Sequence, residues 1–157
     1  MAIEVGQQAP DLELPVAGSS DKFKLSDYKG KQPVVLLFFP LAWTGVCTQQ
    51  MCDTRDAMSK YDQLGAKVVG ISVDSPFALD KFKQDQGINF DLASDFNGEA
   101  IEKYGCKYDD LMGFKNVAKR SAFVINKDGK IAYSLVNESA KDIPPFSEIE
   151  SALNKAN

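Results

Sequence analysis

The sequence predicts an α/β fold in which one mixed central sheet carries helices on both faces and a short N-terminal extension. Three observations carry that reading. Pro33 to Phe39 (PVVLLFF) and Lys67 to Val73 (KVVGISV) are continuous apolar runs rich in β-branched and aromatic residues, as expected of strands buried on both faces. Between them Cys47, Met51, Thr54, Met58 and Tyr61 recur at steps of four and three, the period of a helix with one semi-apolar stripe. Further on, Ser121 to Asn126 and Lys130 to Val136 flank Asp128-Gly129, a strong signal for an antiparallel hairpin.

The elements follow in order. Asp11 to Val16 alternates like a short strand, and Phe23 to Leu25 is placed to return beside it. Pro40 ends the first buried strand. The helix over Gly45 to Leu64 has Thr44 at its N-cap and Gly65 at the position of a C′ glycine. Strand, helix and strand at this spacing form a βαβ unit, with parallel strands and a right-handed crossover. Ser75-Pro76 opens a helix over Phe77 to Gln86, and a short strand follows around Asn89 to Leu92. A helix from about Asn97 to Tyr104 stops at Gly105. The last helix starts at Pro144-Pro145 and sets Phe146, Ile149 and Leu153 on one face. That order is the thioredoxin-type α/β arrangement. With no repeat and no linker long enough to divide the chain, residues 1–157 read as one domain.

Composition narrows the chemistry. Eighteen Lys and Arg against 22 Asp and Glu leave a net charge of −4 and no basic run, which disfavours nucleic acid and anionic membranes as partners. The apolar run Val34 to Phe39 is far short of the ~20 residues a membrane helix needs. The N-terminus lacks the basic and apolar regions of a secretory signal, so a reducing cytoplasm is the expected compartment. There is no histidine, which removes Ser-His-Asp and Cys-His catalysis and His-ligated zinc in one step. The three cysteines, Cys47, Cys52 and Cys106, are too few and odd in number for a disulfide framework.

The segment from Phe39 to Cys52 is the informative one. A buried strand ends, a short loop follows, and Cys47 falls in the first turn of a helix. First-turn N–H groups have no intrahelical partner and the helix dipole is positive there, so thiolate is favoured over thiol. Position alone leaves open that Cys47 is a small buried apolar residue, the usual state of a free cysteine.

The pattern Pro40-x-x-x-Thr44-x-x-Cys47 resembles the signature of the peroxiredoxins, thiol peroxidases that use no metal or haem. Three further blocks extend the resemblance over most of the chain. Gly6-x-x-Ala9-Pro10-Asp11 with Leu25 to Gly30 (LSDYKG) is similar to the family's opening, Val69 to Ser75 (VGISVDS) to its second buried strand, and Arg120 to Gly129 (RSAFVINKDG) to its arginine-bearing strand and hairpin. The resemblance implies that Cys47 attacks a peroxide oxygen and becomes a sulfenic acid. It implies further that Thr44 hydrogen-bonds at the peroxide and thiolate, that Pro40 shields the site from water, and that Arg120 holds its guanidinium beside the sulfur. As plain structural residues, Thr44 is an N-cap and Arg120 a surface ion pair.

Ionisation alone is not a mechanism. Lowering a thiol from a pKa of ~8.5 to ~6 raises the thiolate fraction at pH 7 about thirtyfold. A Brønsted slope of ~0.4–0.5 then loses roughly tenfold in intrinsic nucleophilicity, a net gain of only about threefold. Donors to the transition state, from Arg120, Thr44 and first-turn amides, must supply the rest.

The spacing Cys47-x-x-x-x-Cys52, with Thr48 and Arg55-Asp56, resembles the Q-type, bacterioferritin-comigratory-protein-like peroxiredoxins, which implies that Cys52 resolves Cys47 as a disulfide within one helix. Five helical residues separate Cα atoms by about 8.7 Å, whereas a disulfide needs roughly 4.4–6.8 Å. The helix start must therefore unwind, aided by Gly45, Val46 and Thr48. The alternative is an inert Cys52 in a 1-Cys enzyme. Cys106 is expected to be a packed small side chain rather than a second resolving thiol. The spacing of 47 and 52 does not fit structural zinc, and neither metal nor cofactor is expected. The resemblance implies a peroxide substrate and a thioredoxin-like or other small dithiol reductant, in a monomer or homodimer.

Trp43 is expected to pack or to lie at an interface near the reactive loop, and Phe77, Phe82, Phe90 and Phe96 to be core or rim aromatics. Other classes fit the sequence less well. A thiol–disulfide oxidoreductase uses C-x-x-C, which is missing here. A non-catalytic thioredoxin-fold module has no need of the four motif residues. Glutathione-peroxidase-like enzymes set a Gln/Trp/Asn group around their thiol, and no such group is recognisable.

Overall fold

The computed structural model describes residues 2–156 of the chain. In order the elements are β1 (Glu13–Pro15), β2 (Lys22–Lys24), a 3-10 turn (Leu25–Tyr28), β3 (Val34–Phe38), α1 (Gly45–Asp56), α2 (Met58–Gln63), β4 (Lys67–Ser72), α3 (Pro76–Gln86), β5 (Asp91–Ser94), α4 (Glu99–Lys103), β6 (Ser121–Ile125), β7 (Ile131–Val136) and α5 (Phe146–Ala156). Five strands form the central sheet in the order β5-β4-β3-β6-β7. β3, β4 and β5 run parallel, while β6 and β7 are antiparallel to their neighbours. The small β1–β2 hairpin is the N-terminal extension.

β3 shows why the sequence chooses this arrangement. Successive strand residues point to opposite faces, so an unbroken apolar run supplies two cores at once. Val34, Leu36 and Phe38 enter one core with α4 residues Ala100 and Ile101 and with Leu14 and Phe23 of the extension. Val35 and Leu37 enter the other with Met51 of α1, Tyr61 of α2, Leu79 and Phe82 of α3, and Ile149 and Leu153 of α5. Helices thus cover both faces. α1 lies close upon the sheet at Gly70 of β4, where an added Cβ would come 2.8 Å from Leu92 Cδ2 and 3.2 Å from Met51 Sδ.

Three expectations need correction. The helix foreseen over Gly45 to Leu64 is two helices, broken at Ala57 (φ −95°, ψ 0°). The break lets Tyr61 turn into the core, edge-on to Phe146 with ring centroids 5.1 Å apart. The strand foreseen around Asn89 to Leu92 instead runs from Asp91 to Ser94, because its pairing with Val69 to Ser72 fixes its length. Phe82 and Phe90 are buried, but Phe77 and Phe96 are exposed. None of the described helices is long and apolar enough to cross a membrane.

Candidate active site

The carboxyl end of β3 runs into the loop Pro40 to Thr44, which delivers the chain to the start of α1. Asp74, just beyond β4, ties this loop down: one carboxylate oxygen accepts from the Ala42 N–H at 2.8 Å and from the Ser72 hydroxyl at 2.6 Å. Trp43 takes a left-handed backbone conformation (φ 73°) and sets its half-exposed ring edge-on to Phe82 of α3, centroids 5.4 Å apart. Cys47 is the third residue of α1 and is only 1% exposed.

Arg120, the residue before β6, reaches Cys47 from the neighbouring strand. Its Nη2 donates to Cys47 Sγ at 3.1 Å, its Nη1 to Gln50 Oε1 at 2.6 Å, and its Nε to the Ala140 carbonyl at 2.8 Å. The guanidinium is 1% exposed and has no carboxylate partner among the described residues, so it is not the surface ion pair that an arginine at a strand start usually makes. Together the three bonds hold a positive charge at the buried sulfur, where charge interactions are strong.

A pocket of about 460 Å³ opens onto this pair. Pro40, Thr44, Cys47 and Arg120 line it, with Tyr108, Leu111, Met112 and Phe114 from the segment between α4 and β6. Pro40 is buried beneath its edge. Thr44 occupies the N-cap position of α1 but makes no side-chain cap; its hydroxyl donates to the Leu41 carbonyl at 2.8 Å, which holds the loop closed. The hydroxyl oxygen, with lone pairs left over, lines the pocket beside the first-turn amides.

Four of the expected site residues therefore meet in one pocket. The fifth, Cys52, does not line it. Cys52 lies further along the unbroken α1, half-buried, with its thiol 3.6 Å from Gln86 Oε1 of α3. Both cysteines are free, and α1 is helical throughout the interval between them. Cys106 is fully buried, and burial pushes its thiol up to about 12. No three metal-ligating side chains come together among the described residues.

Two contributors escaped the sequence reading. Gln50 is 2% exposed and orients the guanidinium. Its signal was available, because residues three apart share a helix face and Gln50 follows Cys47 by three. Asp74 had no local signal, since its role depends on two strand ends lying side by side.

The thiol of Cys47 is thus borne on the first turn of a helix and held against a buried arginine, at the carboxyl end of a thioredoxin-type sheet. The chain belongs to the AhpC/TSA family, which it matches over residues 5–134. It is 37% identical over 148 residues to peroxiredoxin Bcp of Bacillus subtilis, covering 90% of each chain. Among solved structures it is similar to peroxidoxin BcpB of Mycobacterium tuberculosis (29% identity, TM-score 0.85, 99% of each chain). It is also similar to a peroxiredoxin-like protein of Aquifex aeolicus (26% identity, TM-score 0.88, 100% of this chain and 90% of the other). The enzyme is accordingly a peroxiredoxin of the Bcp type.

Proposed function

We propose that this peroxidase reduces hydrogen peroxide and organic hydroperoxides in the cytoplasm through a sulfenic acid on Cys47, that Cys52 resolves this as an intrahelical disulfide, and that a thioredoxin-like dithiol regenerates the enzyme. The observation that carries the reading is the 3.1 Å bond from Arg120 Nη2 to Cys47 Sγ at the floor of the pocket. In the first step the Cys47 thiolate attacks one peroxide oxygen. The S–O bond forms, the O–O bond breaks, and the departing oxygen leaves as alkoxide or hydroxide and takes a proton. Charge thus moves from sulfur toward the leaving oxygen. Arg120 and the amides of the first turn of α1 stand where they can follow it, which is the arrangement that stabilises a transition state rather than the bound substrate. Leu41, Val46, Leu111 and Phe114 give the pocket an apolar wall able to accept an alkyl substituent.

In the second step the Cys52 thiolate attacks the sulfenic sulfur. A disulfide forms and hydroxide departs, to be protonated to water. Because α1 is intact between the two cysteines, its first turns must open for the sulfurs to meet. An external dithiol then reduces the bridge.

A coupled peroxidase assay with a thioredoxin system tests this reading. Cys47→Ser is expected to abolish turnover. Cys52→Ser is expected to retain one stoichiometric peroxide reduction but to lose turnover with the dithiol donor. Full turnover in Cys52→Ser would exclude Cys52 as the resolving thiol.

A further inference from the structure

Gln86 of α3 holds two residues of α1 at once. Its side-chain Oε1 lies 3.6 Å from Cys52 Sγ, while its main-chain carbonyl accepts from Arg55 Nη1 at 2.5 Å. Arg55 follows Cys52 by three residues, so the two side chains share one face of α1. A second tie comes from the connection that follows α3: Asn89 Nδ2 donates to the Arg55 carbonyl at 3.4 Å. The Arg55 Nε donates to Asp56 Oδ1 at 3.0 Å, which fixes the plane of the guanidinium. Among the described residues no side-chain hydrogen bond links the Cys47 end of α1 to α3; there the hydrogen bonds run to Arg120.

We propose that Arg55 is a positioning residue for disulfide formation, acting in two ways through its anchorage to Gln86. It pins the C-terminal half of α1 against α3, so that opening is confined to the turns around Cys47 and the sulfenic acid travels to a stationary Cys52. It also keeps a positive charge beside Cys52 when that thiol loses its proton to attack. The guanidinium holds its proton more tightly than usual, chiefly through the hydrogen bond to Asp56. Gln86 has the complementary part. Its Oε1 accepts the S–H and holds the thiol in place until the helix start opens, and the contact ends when the disulfide forms.

This inference rests on Cys52 being the resolving thiol, and the experiment separates the two. Stopped-flow Trp43 fluorescence, with quenched samples alkylated and weighed, resolves the peroxide-consuming phase from the bridging phase. In Arg55→Gln the first phase is expected to keep the wild-type rate, which also reports a folded Cys47 site, while the bridging phase slows about fivefold, the effect of losing a charge interaction of roughly 1 kcal/mol. Arg55→Lys, which keeps the charge, is expected to recover part of that loss. A Cys52→Ser control that still loses two thiols overturns the resolving assignment and this inference with it. Loss of bridging in that control, together with wild-type bridging in Arg55→Gln, overturns the role of Arg55 alone. Equal loss in Arg55→Gln and Arg55→Lys reduces Arg55 to a packing residue and contradicts the charge assignment.

Discussion

Arg120 and Cys47, 73 residues apart in the chain, meet at 3.1 Å with both side chains buried. The antiparallel pairing of β6 with β3 makes this possible, since it sets Ser121 opposite Phe38 and so brings the residue before β6 level with the loop leaving β3. Substitution of Arg120 by Ala is expected to lower the rate of peroxide attack by about 10²–10³, the range for removing one preorganised donor from a developing anion. That loss exceeds the few-fold change that thiol ionisation alone can produce. Single-turnover kinetics measured across pH separate the two contributions.

Gln50 is expected to matter through Arg120. Leucine at this position removes the acceptor of Arg120 Nη1 and leaves a buried charged donor unpaired, at a cost of about 1–3 kcal/mol. The arginine is then free to rotate away from the sulfur. Gln50→Leu should lower the urea midpoint and slow peroxide attack roughly tenfold, within that same energy range. Gln50→Glu, which keeps an acceptor, should retain most of the rate.

Gly70→Ala tests the seat of α1. The new methyl would crowd Leu92 and Met51, and overpacking of this kind costs typically about 1–3 kcal/mol. Because Met51 lies one turn beyond Cys47 on α1, the helix moves with it. A lowered denaturation midpoint accompanied by slower peroxide attack is the expected result.

Cys106 is expected to resist alkylation in the folded protein, since its thiol is both buried and held protonated by burial. The sign for stability follows from the raised value. The folded state binds this proton more tightly than the unfolded one, so the contribution is complete below pH 9 and is lost as pH rises toward about 12. Buried Tyr61 and Tyr104, shifted upward by desolvation, add to the same alkaline loss. Denaturation midpoints between pH 8 and pH 11 should fall steadily, and Cys106→Ala should flatten part of that slope.

Much of the frame was legible because burial on both faces of a sheet leaves unbroken apolar runs, as in Val34 to Phe38. The placement of Cys47 was legible because a strand end followed by a helix start is written locally, in Pro40, Thr44 and the stripe through Met51. What escaped notice depends on distant parts of the chain. The break at Ala57 serves the packing of Tyr61 on Phe146, a partner more than eighty residues away. The Thr44 hydroxyl turns back to Leu41 instead of capping α1, a choice set by loop geometry that propensity does not encode. Phe77 and Phe96 look like core or rim aromatics by spacing, yet both stand exposed beyond the carboxyl ends of β4 and β5, uncovered by any of the described residues.

Intact mass after one equivalent of hydrogen peroxide and rapid thiol alkylation tests the central claim most directly. The account predicts loss of two alkylatable thiols in the wild-type protein, reduced in Cys52→Ser to the loss of one with a +16 addition on Cys47. An unreacted Cys47 under these conditions, or a disulfide that persists in Cys52→Ser, would contradict it.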